Sequence, residues 1–328
     1  MSSLLSRVIA QDVAVQVLRR ALGAGRVHHA YLFDGPDGVG KELAAFGLAQ
    51  ALVCEAPAAE GEACGQCSAC LRAVPGENGR TKHPDVHLLG RGVYEPAQIG
   101  RRTPETQDLS IDQVRTIVLA RAAFPPHEGH ARVYIVRDAD EMSTSAANAL
   151  LKILEEPPAR THFVLVTARP DALLSTIRSR TQRVRFGSLP VATVEQILEA
   201  RGVGAAEAKS AAALADGSVR QALLRADPES SRSRESFVER ALGAIDAPTL
   251  SLGLALAEEA KKDKAAFEEA LRALAASLAA RARNDPASRD GLKCAVLFEE
   301  VEQVLRDLDR NASAQLALES FFVRARAK

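Results

Sequence analysis

The chain has 328 residues, more than one ordinary domain of roughly 100–200 residues holds, so two or three domains are expected, each able to bury a core. Its 42 basic residues balance 42 acidic ones, which excludes recruitment of nucleic acid or an anionic membrane by an overall field and leaves any such contact to local charge. No stretch approaches the about eighteen continuous apolar residues of a membrane span, and Met1 to Arg7 carries no basic segment followed by an apolar one, so a soluble cytoplasmic protein is expected.

Tryptophan is absent and Ala, Leu and Val dominate, a composition that favours helices packed by small and branched side chains over an aromatic stacking surface. The first half of the chain alternates short apolar runs with helix-period segments, the pattern of a parallel sheet covered by helices. Ala30 to Phe33 is the first predicted strand. A glycine-rich turn and an amphipathic helix through Leu52 follow it. Pro75 to Gln107 lacks periodicity and reads as loop, with at most a short strand near Val86 to Leu89. Val133 to Val136 and Phe163 to Thr167 are continuously apolar, as strands buried on both faces must be. After Gly187 to Pro190 the pattern turns helical. Thr193 with Gln196 predicts a capping-box start to a helix carrying Ile197 and Leu198, and this small helical piece ends near Ala226. Asp227 to Glu235, with three serines, reads as a linker. Beyond it Phe267, Leu271, Leu274 and Leu278, and again Leu297, Val301, Val304 and Leu308, recur at helical spacing and predict a bundle. No internal repeat is found.

Three groups of residues carry chemistry. Gly35-Pro36-Asp37-Gly38-Val39-Gly40-Lys41 sits between a strand and a helix, the context a phosphate loop requires. Gly35, Gly38 and Gly40 let backbone N–H groups wrap a phosphate, the helix N-terminus adds its dipole, and Lys41 can reach the outer phosphates. Position 42, where a Ser or Thr hydroxyl would ligate magnesium, is Glu42. A second departure follows the strand Val133 to Val136. Arg137 stands where a magnesium-organising aspartate belongs, ahead of Asp138, Ala139, Asp140 and Glu141, and a guanidinium cannot ligate a cation. The third group is Cys54, Cys64, Cys67 and Cys70. Its two Cys-x-x-Cys spacings suit a closed, structural Zn2+ site, because four thiolates leave no position for a substrate. Cys294, alone on a predicted helix, reads as a small buried hydrophobe.

Further stretches match a known family. They are Arg26-Val27-His28-His29-Ala30-Tyr31-Leu32-Phe33, the cysteine module, Ala146-Ala147-Asn148-Ala149-Leu150-Leu151-Lys152-Ile153-Leu154-Glu155-Glu156-Pro157-Pro158, and Leu173-Leu174-Ser175-Thr176-Ile177-Arg178-Ser179-Arg180. Near the end come Asp309-Arg310-Asn311-Ala312 and Leu316-Ala317-Leu318-Glu319. In this order they resemble the delta-prime subunits of bacterial DNA polymerase III clamp loaders, which are AAA+ proteins, and more distantly the gamma/tau motor subunits. The resemblance implies an α/β fold: a P-loop AAA+ parallel sheet with helices on both faces at 1–187, with the zinc module at 54–70 inserted. A helical lid at 188–226 and a helical collar bundle at 232–328 would follow.

The resemblance also implies roles. Ser179-Arg180-Thr181 looks like the family's Ser-Arg-Cys motif, so Arg180 is expected to reach the γ-phosphate in a neighbour's site as an arginine finger, with Thr181 departing from the motif's cysteine. Thr167 corresponds to the first sensor and Arg220, in Gly217-Ser218-Val219-Arg220, to the second. With Glu42 and Arg137 departing, and Asp138 beside them, the implied role is a stator that helps load a sliding clamp onto primed DNA and hydrolyses little ATP of its own. It would be one component of a DNA-directed DNA polymerase, a nucleotidyltransferase. Implied partners are the motor and delta subunits in a hetero-oligomeric ring and, through it, the sliding clamp and primer-template DNA, with no membrane. ATP or ADP at Lys41 is left open. Two other readings stay open as well. One is a hydrolysing motor subunit in which Asp138 or Asp140 takes the metal. The other is a zinc-dependent nucleic-acid binder, against which Glu55, Glu60 and Glu62 flank the cysteines.

Overall fold

The computed structural model describes residues 3–58, 61–76, 78–103, 108–122, 124–128, 130–259, 264–309 and 312–326. Glu60 and the Arg310-Asn311 pair of the family match lie outside the described residues. The chain divides into two compact units, Met1–Ala222 and Leu223–Lys328.

The first unit is built on five parallel strands, β1 (Ala30–Asp34), β2 (Val86–Leu89), β3 (Arg132–Val136), β4 (Thr161–Thr167) and β5 (Gln182–Arg185), in the order β2-β3-β4-β1-β5. All residues of β1 and β3 are buried, which is why their sequences show no polar alternation. Ala30, Leu32, Tyr134, Val136, Phe163 and Leu165 share one core cluster with Leu150, Leu154, Val114 and Val118 from helical segments on that face. By the alternation of a strand, Tyr31, Phe33, Val133, Ile135 and Val164 point to the opposite face, and all are buried. Both faces of the sheet are therefore covered, as a parallel sheet requires.

The helices of this unit are α1 (Asp12–Gly23), α2 (Lys41–Val53), α3 (Ser68–Arg72), α4 (Thr144–Glu155), α5 (Ser175–Arg178), α6 (Val191–Ala200), α7 (Ala205–Ala213) and α8 (Val219–Ala226), whose last four residues extend into the second unit. A further helical segment, 111–122, has π geometry at Val114–Leu119. The segment read as loop between Pro75 and Gln107 holds β2 and a 3-10 turn at Pro96–Ile99, whose Glu95 and Gln98 form a capping box. The capping box expected from Thr193 does not form. Helix α6 begins three residues earlier, Pro190 is its N-cap, and the Thr193 N–H is already bonded to the Pro190 carbonyl. The fixed φ of proline suits a helix entry, and burial of Leu189, Val194 and Leu198 sets where the helix starts.

The second unit is helical, with α9 (Pro228–Asp246), α10 (Ser251–Glu259), α11 (Lys264–Asn284), α12 (Arg289–Asp309) and α13 (Ala314–Arg326). The residues predicted to line the bundle, Phe267, Leu271, Leu274, Leu278, Leu297, Val301, Val304 and Leu308, all lie in its core, together with Phe321 and Phe322. The linker expected at Asp227 to Glu235 is instead the start of α9. Its polar residues lack an apolar stripe of their own, but they continue a helix anchored further on by Phe237, Ala241 and Ile245. Arg234 also donates to the Leu224 and Arg225 carbonyls at the end of α8, satisfying acceptors that a helix end leaves open. Cys294 is buried in α12, as a small hydrophobe would be.

Candidate functional site

The carboxyl ends of β1, β4 and β3 lie side by side, and the predicted site residues converge there. β1 delivers the chain into the glycine loop. At Gly35 a Cβ would stand 2.2 Å from the Phe186 carbonyl oxygen, and at Gly38, with φ of 71°, it would meet the backbone N of Arg220 at 2.5 Å, so neither position admits a side chain. Gly40 is the left-handed N-cap of α2. Lys41, the first residue of α2, is buried and turns back onto the loop: its Nζ donates to the Gly35 carbonyl at 2.5 Å and the Pro36 carbonyl at 2.6 Å. Burial lowers its pKa, against the opposing pull of Asp37, Asp138 and Asp140. The start of α8 closes over the same loop, with the Val219 N–H 3.3 Å from the Gly38 carbonyl, and brings the exposed Arg220 beside it.

The two departures from a hydrolytic phosphate-loop site meet each other. Arg137 Nε and Nη2 donate to the two carboxylate oxygens of Glu42 at 2.6 and 2.7 Å, a bidentate pair joining the end of β3 to the first turn of α2. The guanidinium passes Gly79, where a Cβ would lie 2.5 Å from Arg137 Nη2. Hydrogen bonding to Glu42 raises the arginine's pKa further. Each group that looked incompatible with magnesium is thus neutralised by the other, and the carboxylate is not left facing phosphate charge alone.

The acidic residues after β3 are also engaged. Asp138 adopts a left-handed conformation ahead of the 3-10 turn Ala139–Glu141, and burial followed by its acidic neighbours Asp37 and Asp140 raises its pKa. Asp140 accepts from Thr167 Oγ1 at 2.5 Å and from Arg169 Nε at 2.8 Å, so the fully buried Thr167 is tied to a carboxylate at the end of β4. Glu141 pairs with Arg91. Sequence reasoning missed the Glu42–Arg137 pair and the Thr167–Asp140 bond. For the first, the sequence offered two departures of opposite charge, and only the fold brings their positions together.

Arg180 is not in this cluster. It follows the short helix α5, with its side chain 36% exposed and paired with Glu155 at the end of α4. Arg178, its neighbour in the motif, pairs with Asp171 at 2.5 Å.

The four cysteines converge as their spacing predicts. All four Sγ atoms lie within 4.8 Å of one another, with Cys54–Cys67 at 4.0 Å and Cys64–Cys70 at 3.9 Å. A tetrahedral ion with Zn–S bonds of about 2.3 Å would set its sulfurs about 3.8 Å apart, so the donor set fits a thiophilic metal. Backbone N–H groups of Cys64, Cys67 and Cys70 point at Cys54, Cys64 and Cys67 Sγ respectively, an arrangement that favours thiolates. The N–H groups of Gln66 and Cys67 pull the Cys64 pKa down to about 6, whereas burial raises those of Cys54 and Cys70. Gln50 of α2 ties the module inward, accepting from the Leu4 N–H and donating to the Cys70 carbonyl.

A parallel sheet in this order, with a glycine loop between β1 and α2, defines a P-loop domain of AAA+ type. The sequence matches the family model described as "DNA polymerase III, delta subunit" over residues 10–190, and the chain belongs to that family. Among characterised relatives, it is 32% identical over 280 residues to DNA polymerase III subunit gamma/tau of Mycobacterium tuberculosis, covering 84% of this chain and 43% of that one. It is 35% identical over 190 residues to DNA polymerase III subunit delta' of Bacillus subtilis, covering 58% and 51%. The chain spans about half the length of the curated relatives it matches. A DNA polymerase III gamma subunit-related protein of Thermotoga maritima aligns over 99% of both chains at 20% identity and a TM-score of 0.45. Among the described residues no helix is long and apolar enough to cross a membrane.

Proposed function

We propose that this chain is a clamp-loader stator of a bacterial DNA polymerase III. In this reading it assembles with gamma/tau motor and delta subunits in a hetero-oligomeric ring that loads a sliding clamp onto primer-template DNA in the cytoplasm. It hydrolyses little or no ATP itself and completes a neighbour's site with Arg180. Residues 1–187 act as the AAA+ body, 188–226 as a lid and 232–328 as the collar that joins the ring. The observation that carries the reading is the bidentate Glu42–Arg137 pair. Hydrolysis needs a hydroxyl and a carboxylate on magnesium at those two positions, and here they are occupied by a carboxylate and a guanidinium bound to each other. A subunit without its own magnesium site contributes through what it presents outward, and a guanidinium at a subunit boundary stabilises the charge that develops on a transferring phosphoryl group.

Zn2+ bound to Cys54, Cys64, Cys67 and Cys70 is part of the proposal, as a structural cross-link with no open coordination position. Lys41, Gly35, Gly38 and Gly40 retain the form of a phosphate site, but the lysine is spent on its own loop. Nucleotide bound there would be residual and static.

The test is a complex reconstituted with motor and delta subunits. Arg180→Ala should leave it assembled while ATP turnover at the adjoining site falls by about a thousandfold or more, as loss of an arginine finger does. Loss of assembly with normal turnover would contradict the reading. A second reading, a hydrolysing motor, is favoured by the length of the match to gamma/tau. It requires the isolated chain to turn over ATP in magnesium, which the stator reading does not allow.

A further inference from the structure

Arg180 is held from two sides before any neighbour is present. Its Nη1 donates to the Thr176 carbonyl at 3.0 Å, and its Nη2 pairs with Glu155 Oε1 at 2.8 Å. Among the described residues Nε has no partner, so the guanidinium keeps donors for another ligand. Both side chains border an open cavity of about 440 Å³, also lined by His28, His29 and Gln182. Glu155 closes α4, the helix that starts just past the Asp138–Glu141 segment, and its anchoring residues Leu150 and Leu154 are buried in the core. The carboxylate is therefore presented by a rigid element, while the arginine follows a one-turn helix on the surface.

We propose that Glu155 is a positioning residue for Arg180: it fixes the guanidinium in a phosphate-ready pose at the rim of this cavity. The inference rests on the reading of Arg180 as a trans-acting finger and adds the group that orients it. A free arginine side chain spreads over many rotamers, and every pose but one is unproductive when the neighbour's phosphate arrives. An ion pair in which both partners are more than a third exposed is weak, so Glu155 cannot hold the cation against a buried, multiply charged phosphate. It selects the pose and leaves the remaining donors to the ligand.

The experiment uses the full chain in the reconstituted complex, with ATP turnover as readout. Glu155→Ala should lower kcat about fivefold, the size of effect a weak surface pair can have, at unchanged KM for ATP and unchanged assembly. Glu155→Gln, whose side-chain carbonyl oxygen still accepts from Nη2, should recover most of that loss, and Glu156→Ala, one residue on and exposed, should have none. The decisive arm is the double variant: in an Arg180→Ala background, Glu155→Ala should change nothing further. The proposal is overturned if Glu155→Ala turns over like wild type while Arg180→Ala is slow, or if Glu155→Ala costs the same with and without the arginine. If Arg180→Ala itself leaves turnover intact, the finger reading fails first and the positioning role goes with it.

Discussion

Glu42 and Arg137 show how two residues that each look damaging become compatible once their geometry is known. Each side chain is about a third exposed, so the pair is neither a surface ornament nor a fully desolvated core bridge. A double-mutant cycle with Glu42→Ala and Arg137→Ala, followed by urea unfolding, should give a coupling energy of about 1 kcal/mol. Additive losses would mean that the two charges are independent. The same residues offer a gain-of-function check. Glu42→Thr together with Arg137→Asp places a hydroxyl and a carboxylate at these two positions, and the double variant should bind ATP in a more magnesium-dependent, chelator-sensitive way than the parent chain, measured side by side. Both departures could be read along the chain, yet their partnership could not, because 95 positions separate them and only the pairing of strands brings them together.

At the scale of elements, α2 connects the site to the cysteine module. It begins with Lys41 in the glycine loop and ends one residue before Cys54, and its Gln50 bonds both the Leu4 N–H and the Cys70 carbonyl. Metal bound by the cysteines would therefore brace the far end of the helix that carries the loop. The native chain should contain one zinc per molecule by elemental analysis. Chelation or Cys70→Ser should lower the melting temperature of the first unit by about 5 °C or more, since a structural zinc site contributes directly to folding. An unchanged melt after complete metal removal would show that the cysteines pack without help. The module itself was legible, because two Cys-x-x-Cys spacings encode convergence locally. The start of α9 was not, because its polar first turns take their helicity from a buried segment further on and from Arg234 bonding the end of α8. β5 was also hidden: only Val184 of its four residues is buried, so the strand carries no apolar run and exists by pairing with β1.

At the scale of the molecule, the placement of the histidines and tyrosines distinguishes the two units. All seven histidines and all three tyrosines lie in the first unit, and there is no tryptophan. Burial lowers the pKa of His29, His83, His87 and His162, with His87 reaching about 4. An unfolded chain takes up these protons near the ordinary value of 6.5. The folded chain accepts them only at lower pH. Their contribution to stability is therefore complete above about pH 6.5 and is lost progressively as the pH falls toward about 4. Tyrosine fluorescence, which reports the first unit alone, should show an acid transition before the far-ultraviolet helix signal of the second unit is lost. Coincident transitions would contradict this, and His87→Phe should move the tyrosine transition to lower pH.

Local chemistry was decided by the sequence alone. The glycine loop between a strand and a helix, the four-cysteine module, the buried apolar strands β1, β3 and β4 and the heptad-like core of the bundle follow from residue types at short spacings, which fix backbone conformation and burial without reference to the rest of the chain. Tertiary structure alone decided which charges meet. Glu42 with Arg137, Thr167 with Asp140, and Arg180 with Glu155 are partners because of the strand order β2-β3-β4-β1-β5 and the helices packed on it. Contacts of that kind depend on register and topology, and a one-dimensional pattern does not carry that information.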